Sequence, residues 1–426
     1  MVEPDVPGPQ PGARVSRRGV AVLAACACLS ASWGAAAIDV SGQVRPQYVA
    51  QQLTRRGPLA QADALQSGLV ASPADGPVLD TELRAHGGLW SAVGTLEQQD
   101  PSDSAWKSRA WFNELYVSGD ASGWQLSAGR RIVAWDVGYG FRPNDIVQQE
   151  ARRTLLSVTP VGRSLLMAER YDARSAWSLV AVNLERSRQD LGAQEPAVDA
   201  RVYWRDGAVD WHGFARVGVR TGVSLGTASS WVASDAIELH GSVRWLHAAD
   251  SLAIDPQAAG LVRTDPWAAA TVHNASQALI GATWTNAQQV SVLGEAWWDG
   301  TALSAAQWDG WNIRNRALAG WIGTAAPVAA VAGNFAWQGD ALTANGNLQR
   351  ANLYLRLSWS PEHWQPAVDL LYQPADGGRV LTASLGWQGD RVRLDAVWRW
   401  YGGPSSSVLA QLPTRQIACV AATWTF

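Results

Sequence analysis

A chain of 426 residues with a net charge of -3 and 47% hydrophobic residues is neither disordered nor basic enough to seek nucleic acid. Its 25 Trp against 5 Phe, together with 40 Gly, favour a sheet that keeps Trp at a bilayer interface and Gly at lipid-facing positions and tight turns. These bounds put an all-β transmembrane barrel ahead of two or three soluble domains.

Residues 1–37 have the layout of a secretory signal peptide. Arg14, Arg17 and Arg18 precede an uncharged run from Gly19 to Trp33, and Ala35-Ala36-Ala37 supplies small residues for cleavage. Leu23-Ala24-Ala25-Cys26 also fits a lipoprotein box, but the apolar run continues beyond Cys26. Once the leader with Cys26 and Cys28 is removed, Cys419 is the remaining cysteine and no internal disulfide can form.

Ile38, Val40, Gly42 and Val44 alternate with Asp39, Ser41, Gln43 and Arg45, so 38–80 reads as a first strand or periplasmic segment followed by a long loop. The barrel proper is expected over 81–426. Strand pieces return at Thr81 to Thr95, Arg109 to Ser118 and Trp124 to Trp135.

The charge-rich stretch from Gly129 to Tyr171 follows. Arg131, Arg142, Asp145, Glu150, Arg152, Arg153, Glu169 and Arg170 stand in one loop and its flanking strand ends. Its Gly-Arg-x-x-x-x-Trp strand end leading to Phe-x-Pro-x-Asp resembles a large group of porin-like outer-membrane proteins of Gram-negative bacteria, a group that is Trp-rich and mostly uncharacterised. The resemblance implies a barrel in the outer membrane and carries no substrate. Opposed charges on an infolded loop either make a constriction that selects solutes by size and charge, or pair with one another to pin the loop.

From Ala197 the strand pattern is clearest. Val198, Ala200, Val202 and Trp204 alternate with Asp199, Arg201, Tyr203 and Arg205; Asp206-Gly207 makes a turn; Val209, Trp211, Gly213, Ala215 and Val217 then alternate with Asp210, His212, Phe214 and Arg216. An apolar face opposite a charged one suits lipid outside and water inside. The same alternation places Glu238, Arg244, Glu295, Arg356 and Arg393 on polar, pore-lining faces, while Leu279, Leu293 and Trp297 break it. Trp ends the apolar face of strand after strand, as an aromatic girdle requires.

Ser304 and Gln307 form a capping-box pattern, so a loop helix is expected at about 305–320, with Trp308, Trp311 and Leu318 on its buried face and Arg314 elsewhere. The final run places Phe426, Trp424, Ala422, Val420 and Ala418 on one face, and resembles the C-terminal strand read by barrel-insertion machinery. Short turns, such as Asp172 to Ser175 and Gly389-Asp390, would be periplasmic; Asp136 to Arg163, His247 to Asn274, Asp299 to Asn347 and Gly402 to Pro413 would be extracellular.

The sum is an antiparallel up-and-down barrel of about 16 strands, or 18 if the opening segment joins the wall with a further partner. Its expected activity is a channel for small polar solutes. A receptor or envelope scaffold with a blocked lumen is the alternative, and an outer-membrane hydrolase a weaker one. No catalytic elbow, phosphate loop, metal motif or cofactor motif stands in the sequence, so no enzyme or cofactor is expected.

Overall fold

The computed structural model describes residues 38–70, 75–100, 106–148, 154–186, 194–255, 258 and 260–426. The signal-peptide reading of 1–37 lies outside the described residues. The chain forms β1 (Asp39–Leu53), β2 (Gly76–Gly87), β3 (Trp90–Gln99), β4 (Lys107–Ala121), β5 (Trp124–Arg131), β6 (Arg163–Tyr171), β7 (Ser175–Val182), β8 (Ala197–Asp206) and β9 (Val209–Gly218). It continues with β10 (Gly222–Ser234), β11 (Ile237–Ile254), β12 (Trp267–Thr285), β13 (Val290–Asp299), β14 (Ala351–Trp359), β15 (Trp364–Gln373), β16 (Gly378–Gln388), β17 (Val392–Gly402) and β18 (Thr414–Thr425). Every strand pairs antiparallel with its chain neighbours, and β1 pairs with both β2 and β18, which closes the sheet into an 18-stranded barrel.

The count of about sixteen is therefore corrected to the alternative of eighteen. Thr81 to Thr95 is a hairpin rather than one strand: Gly87 pairs with Trp90, and the turn falls on Gly88-Leu89, with Gly88 at φ 54°. No Asn or Asp marks that turn, so only glycine's access to positive φ betrays it. The opening segment is likewise part of the wall. At the hairpin predicted on Asp206-Gly207, Asp206 still pairs with Val209, so the turn is Gly207-Ala208 and only Gly207 has positive φ.

The two faces of the wall separate sharply. Outward-facing Val198, Trp204 and Ile280 are 53%, 61% and 70% exposed, whereas Asp199 on the inner face is fully buried. A closed ring of exposed large apolar side chains is a surface made for hydrocarbon. Trp177, Trp204, Trp231, Trp284, Trp359 and Trp424 ring the end bearing the short turns, and Trp245, Trp298 and Trp398 stand toward the other. The chain terminus belongs to this wall. Phe426 exchanges two backbone hydrogen bonds of 3.0 Å with Gly42, and a Cβ on Gly42 would lie 2.7 Å from the Phe426 ring, so only glycine admits that approach. Cys419, on the opposite face of β18, is 2% exposed.

The long connections lie at one end. β11 and β12 remain paired up to Ile254 and Trp267, past the point where β10 and β13 stop, so the loop expected over His247 to Asn274 shrinks to 255–266. Above the bilayer the ribbon has no lipid to face; Leu252, Ile254 and Trp267 pack instead on Leu303, Trp308 and Trp311. The connection after β13 carries α2 (Ala305–Ala319), α3 (Val328–Trp337) and α4 (Asp340–Thr343), and the connection after β1 carries α1 (Pro58–Leu65). α2 opens with Ser304 and Gln307 capping each other's amides. Arg314 is a correction: it lies on the buried face of α2 and donates to Gly260 O at 2.9 Å and Asn334 Oδ1 at 2.7 Å. α1 meets α3 through Ala62, Val331 and Phe335, so these helices make a small core of their own at the long-loop end.

Candidate functional site

The stretch between β5 and β6 does not stand above the wall; it folds into the barrel. Two aspartates shape its first arm. Asp145 Oδ1 accepts from the backbone N–H of Trp135 at 2.9 Å and of Asp136 at 3.0 Å. Asp136 in turn accepts from Val137 N–H at 2.9 Å and Asn144 N–H at 2.6 Å. Four amides that no helix or strand could satisfy are thus bonded by two short side chains. Burial pushes both carboxyls above their ordinary range, Asp145 to about 6, against the opposing pull of the Arg142 guanidinium and the amide donors. Arg142 lies 3.6 Å from Asp145.

This clasp is fixed to the wall of β8 to β13. Ser242 Oγ donates to Asp136 at 2.8 Å, and Asn144 Nδ2 donates to Ser242 Oγ at 2.8 Å, Val243 O at 3.1 Å and Thr227 O at 3.3 Å. Arg244 reaches Pro143 O at 3.1 Å. Arg216, itself held on both oxygens of Asp199, reaches Ile146 O at 2.9 Å. Glu295 accepts from the amides of Tyr139 at 2.6 Å and Gly140 at 2.7 Å. A Cβ on Gly226 would come within 1.8 Å of Asn144 Oδ1, so the wall carries glycine where the loop touches it.

Apolar contacts complete the seat. Val133, Trp135, Ile146 and Val147 pack on Leu165, Met167, Val180 and Phe214, and Phe141 packs on Leu279, Leu293, Trp297 and Tyr354. The three residues that break the alternation are thus the inner-wall pocket for one loop phenylalanine.

The second arm returns past the opposite wall. Asn113, fully buried, donates to Thr159 O at 2.8 Å, Arg45 donates to Ser157 O at 2.5 Å, and Arg399 donates to Thr154 O at 3.4 Å. What remains open is a cavity of about 980 Å³ bounded by this arm and by strands β1, β2 and β14 to β18. Arg45, Arg84, Arg356, Arg393 and Arg399 line it, against the two carboxylates of Asp369 and Asp395. Asp369 holds Arg356 at 2.9 Å and Asp395 holds Arg393 at 2.9 Å. Tyr139 faces the same space, stacked on Tyr354 with ring centres 5.9 Å apart and with the Arg356 guanidinium 5.6 Å from its ring.

The residues singled out by sequence divide accordingly. Arg356 and Arg393 line the open lumen. Asp145, Arg216, Arg244 and Glu295 anchor the infolded loop, and Arg142 lies within it. Glu238 bonds His240, whose other ring nitrogen meets Glu295 at 3.0 Å. Arg131 pairs with Glu169 at 3.1 Å, and Arg201 lies against Trp135 and Tyr203 with its guanidinium 5.9 Å and 5.6 Å from their rings. Arg170 is a correction: it sits on the outer face of β6 opposite Trp177, because Glu169 takes the inner position. Glu150, Arg152 and Arg153 lie outside the described residues. The sequence reading missed Arg45, Arg84, Arg399 and Tyr139 as lumen residues. The first and third stood on polar faces by simple alternation; Arg84 was hidden by the fused hairpin, and nothing local marks Tyr139.

An 18-stranded closed barrel, apolar outside, with one long loop folded inward beside an open lumen, is the architecture of a porin. Its fold is similar to that of OccK8 (OprE) from Pseudomonas aeruginosa, with 8% identity, 91% of this chain and 98% of that chain covered, and a TM-score of 0.54. It is likewise similar to OccAB1 of Acinetobacter baumannii, at 9% identity, 91% and 96% coverage and a TM-score of 0.54, and to OccAB2 of the same organism, at 11%, 91% and 98%, and 0.52. At such identities the likeness is one of fold. No protein-family model and no curated protein matches the sequence.

Proposed function

We propose that the protein is an outer-membrane channel through which small polar solutes diffuse, and that its lumen prefers anions. The observation that carries this reading is the lining of the open space: five guanidiniums against two carboxylates. Arg45 and Arg84 are paired with Asp80 at 2.8 Å and Glu82 at 2.7 Å, carboxylates that stand on the same inner face but outside the lining of the open space. A confined space with low-dielectric walls focuses the field of such an excess and concentrates counter-ions in it. The apolar rail of Tyr139 from the loop and Tyr354, Leu371 and Val397 from the wall, lining the same space, suits anions with an organic body.

Membrane placement follows the physics of the wall. The short-turn end, carrying Phe426, faces the periplasm and the long loops face outward. The terminal strand ending in Trp424 and Phe426 is the part read by insertion machinery, and 1–37 directs export and is then removed, which leaves Ile38 just ahead of β1. Planar-bilayer recording tests the channel reading. Stepwise openings with a reversal potential on the anion side in a salt gradient are expected; a silent, folded barrel would instead favour a receptor or scaffold. Cation preference would overturn the selectivity reading while leaving the channel intact.

A further inference from the structure

The tip of the infolded loop is held by a carboxylate that is itself held by a histidine. Glu295 of β13, its side chain wholly buried, accepts the backbone amides of Tyr139 and Gly140. Its further partner is His240 of β11, two strands away: Nε2 lies 3.0 Å from Glu295 Oε1, and Nδ1 lies 3.0 Å from Glu238 Oε2. The ring reaches across β12 because Gly281 stands between His240 and Glu295 in the register. A Cβ on Gly281 would come within 2.2 Å of His240 Nε2 and 2.8 Å of Glu295 Cγ. Glycine at this inner position is what lets the imidazole pass.

The bonding fixes where the protons are. An ionised carboxylate only accepts, and a neutral imidazole has one N–H, so a ring between two carboxylates satisfies both only with a proton on each nitrogen. The other groups around it are uncharged or engaged elsewhere. Ser230 of β10 and Gly281 of β12 are its cross-strand neighbours, and Asp210, next in that row on β9, accepts from Tyr203. Asp136 is bonded to Ser242, and Arg142 lies by Asp145 within the loop. Tyr354 of β14 stands opposite Glu295, and Arg356 pairs with Asp369. Without the imidazolium, Glu295 is a buried anion left with two amides and no counter-charge, which it relieves by moving toward water.

We infer that His240 is the positioning residue of the pore: its imidazolium holds Glu295, Glu295 holds the Tyr139–Gly140 tip, and Tyr139 is thereby kept against the wall of the open lumen. Loss of the ring's second proton releases the tip into the open space, where it interrupts the current. The effect on current rests on the channel reading above; the docking of the tip does not.

The test uses the full mature barrel, labelled with nitrogen-15 for NMR in nanodiscs and recorded in planar bilayers, both from about pH 6 to about pH 10. Wild type should show a doubly protonated ring at the acid end, assigned to His240 by its absence in His240→Gln. The Tyr139 and Gly140 amide signals should move as that ring loses a proton, and open-channel noise should rise several-fold over the same range. His240→Gln should be noisy at every pH, with no transition. Glu238→Gln keeps the fold testable where that variant does not assemble: its side chain is 33% exposed, and glutamine retains an oxygen for the ring N–H while removing one anion. The transition should then move toward acid by about 1 pH unit or more. A purely structural role would produce no transition and no such shift. A singly protonated ring with the two amides still docked, or a transition that Glu238→Gln leaves in place, overturns the inference. Amide signals that move as expected in a barrel that passes no current uphold the docking and overturn the channel reading instead.

Discussion

Asp145 makes the inward loop pH-sensitive at the level of a single carboxyl. Its folded-state value of about 6 lies above the ordinary value of 3.8, so the folded loop favours the protonated form. The sign follows from linkage: the stabilisation is fully present below about pH 4 and is lost as the pH rises through about 6. A rise of that size corresponds to about 3 kcal/mol at most. Asp145→Asn keeps an oxygen for the amides of Trp135 and Asp136 but cannot ionise. Thermal midpoints of wild type and variant in detergent, measured between pH 4 and 7, should therefore converge at the acid end and separate at the neutral end, with the variant higher. A constant offset across the range would refute the argument. A second single-residue test concerns Gly226. Its replacement by Ala puts a methyl group on Asn144 Oδ1 and should dislodge the hydrogen bonds that the two Nδ2 protons share among Thr227 O, Ser242 Oγ and Val243 O, about 1 kcal/mol net for each proton. Noisy, enlarged single-channel currents from an otherwise normal barrel are the expected readout.

Strand and loop elements differ in how far they could be read from sequence, and the difference is physical. Where one face meets lipid and the other meets water, as in β8 and β9, period-two alternation is imposed residue by residue and the pattern is plain. It fails where the second solvent changes. The upper half of the β11–β12 ribbon packs on α2 rather than on lipid, so Ala248 to Ser251 carry no alternation and read as loop. The Gly88 turn fails for another reason: the outer face passes from odd positions in β2 to even positions in β3, but inward-facing Val93 on the odd set blurs that change, and no Asn or Asp marks the reversal. The infolded loop was legible as a charge-rich segment, yet whether its charges select or pin could not be read, because the contacts that fix it to the wall join residues far apart in the chain. Arg216, Arg244 and Glu295 bond loop backbone 70 to 156 positions away. Leu279, Leu293 and Trp297 were the missed clue, three apolar residues on a polar face awaiting something apolar. Phe141→Ala should empty that pocket and cost the loop's docking roughly 3 kcal/mol. Accelerated amide exchange confined to 133–147, with the strands unchanged, would be the measurement that checks it.

At the scale of the whole barrel, the inward loop divides the interior into two unequal roles. The half lined by β6 to β13 is filled by packed side chains and buried ion pairs, so it contributes rigidity and no passage. The half lined by β1, β2 and β14 to β18 stays open, and on the reading proposed above its charge sets what passes. Arg399 is the most informative position there. It donates to Thr382 Oγ1 and Thr154 O, so removing its charge strands no buried carboxylate. Asp395 offers the opposite change, since Asp395→Asn subtracts a negative charge from the lumen and frees Arg393. If the excess of guanidiniums governs selectivity, Arg399→Gln should move the reversal potential in a salt gradient toward zero and Asp395→Asn should move it further to the anion side. Both shifts should shrink at high ionic strength, because screening within about 10 Å at 0.1 M tightens further as salt rises. Two variants that shift together, or neither at all, would mean that pore width rather than wall charge decides passage.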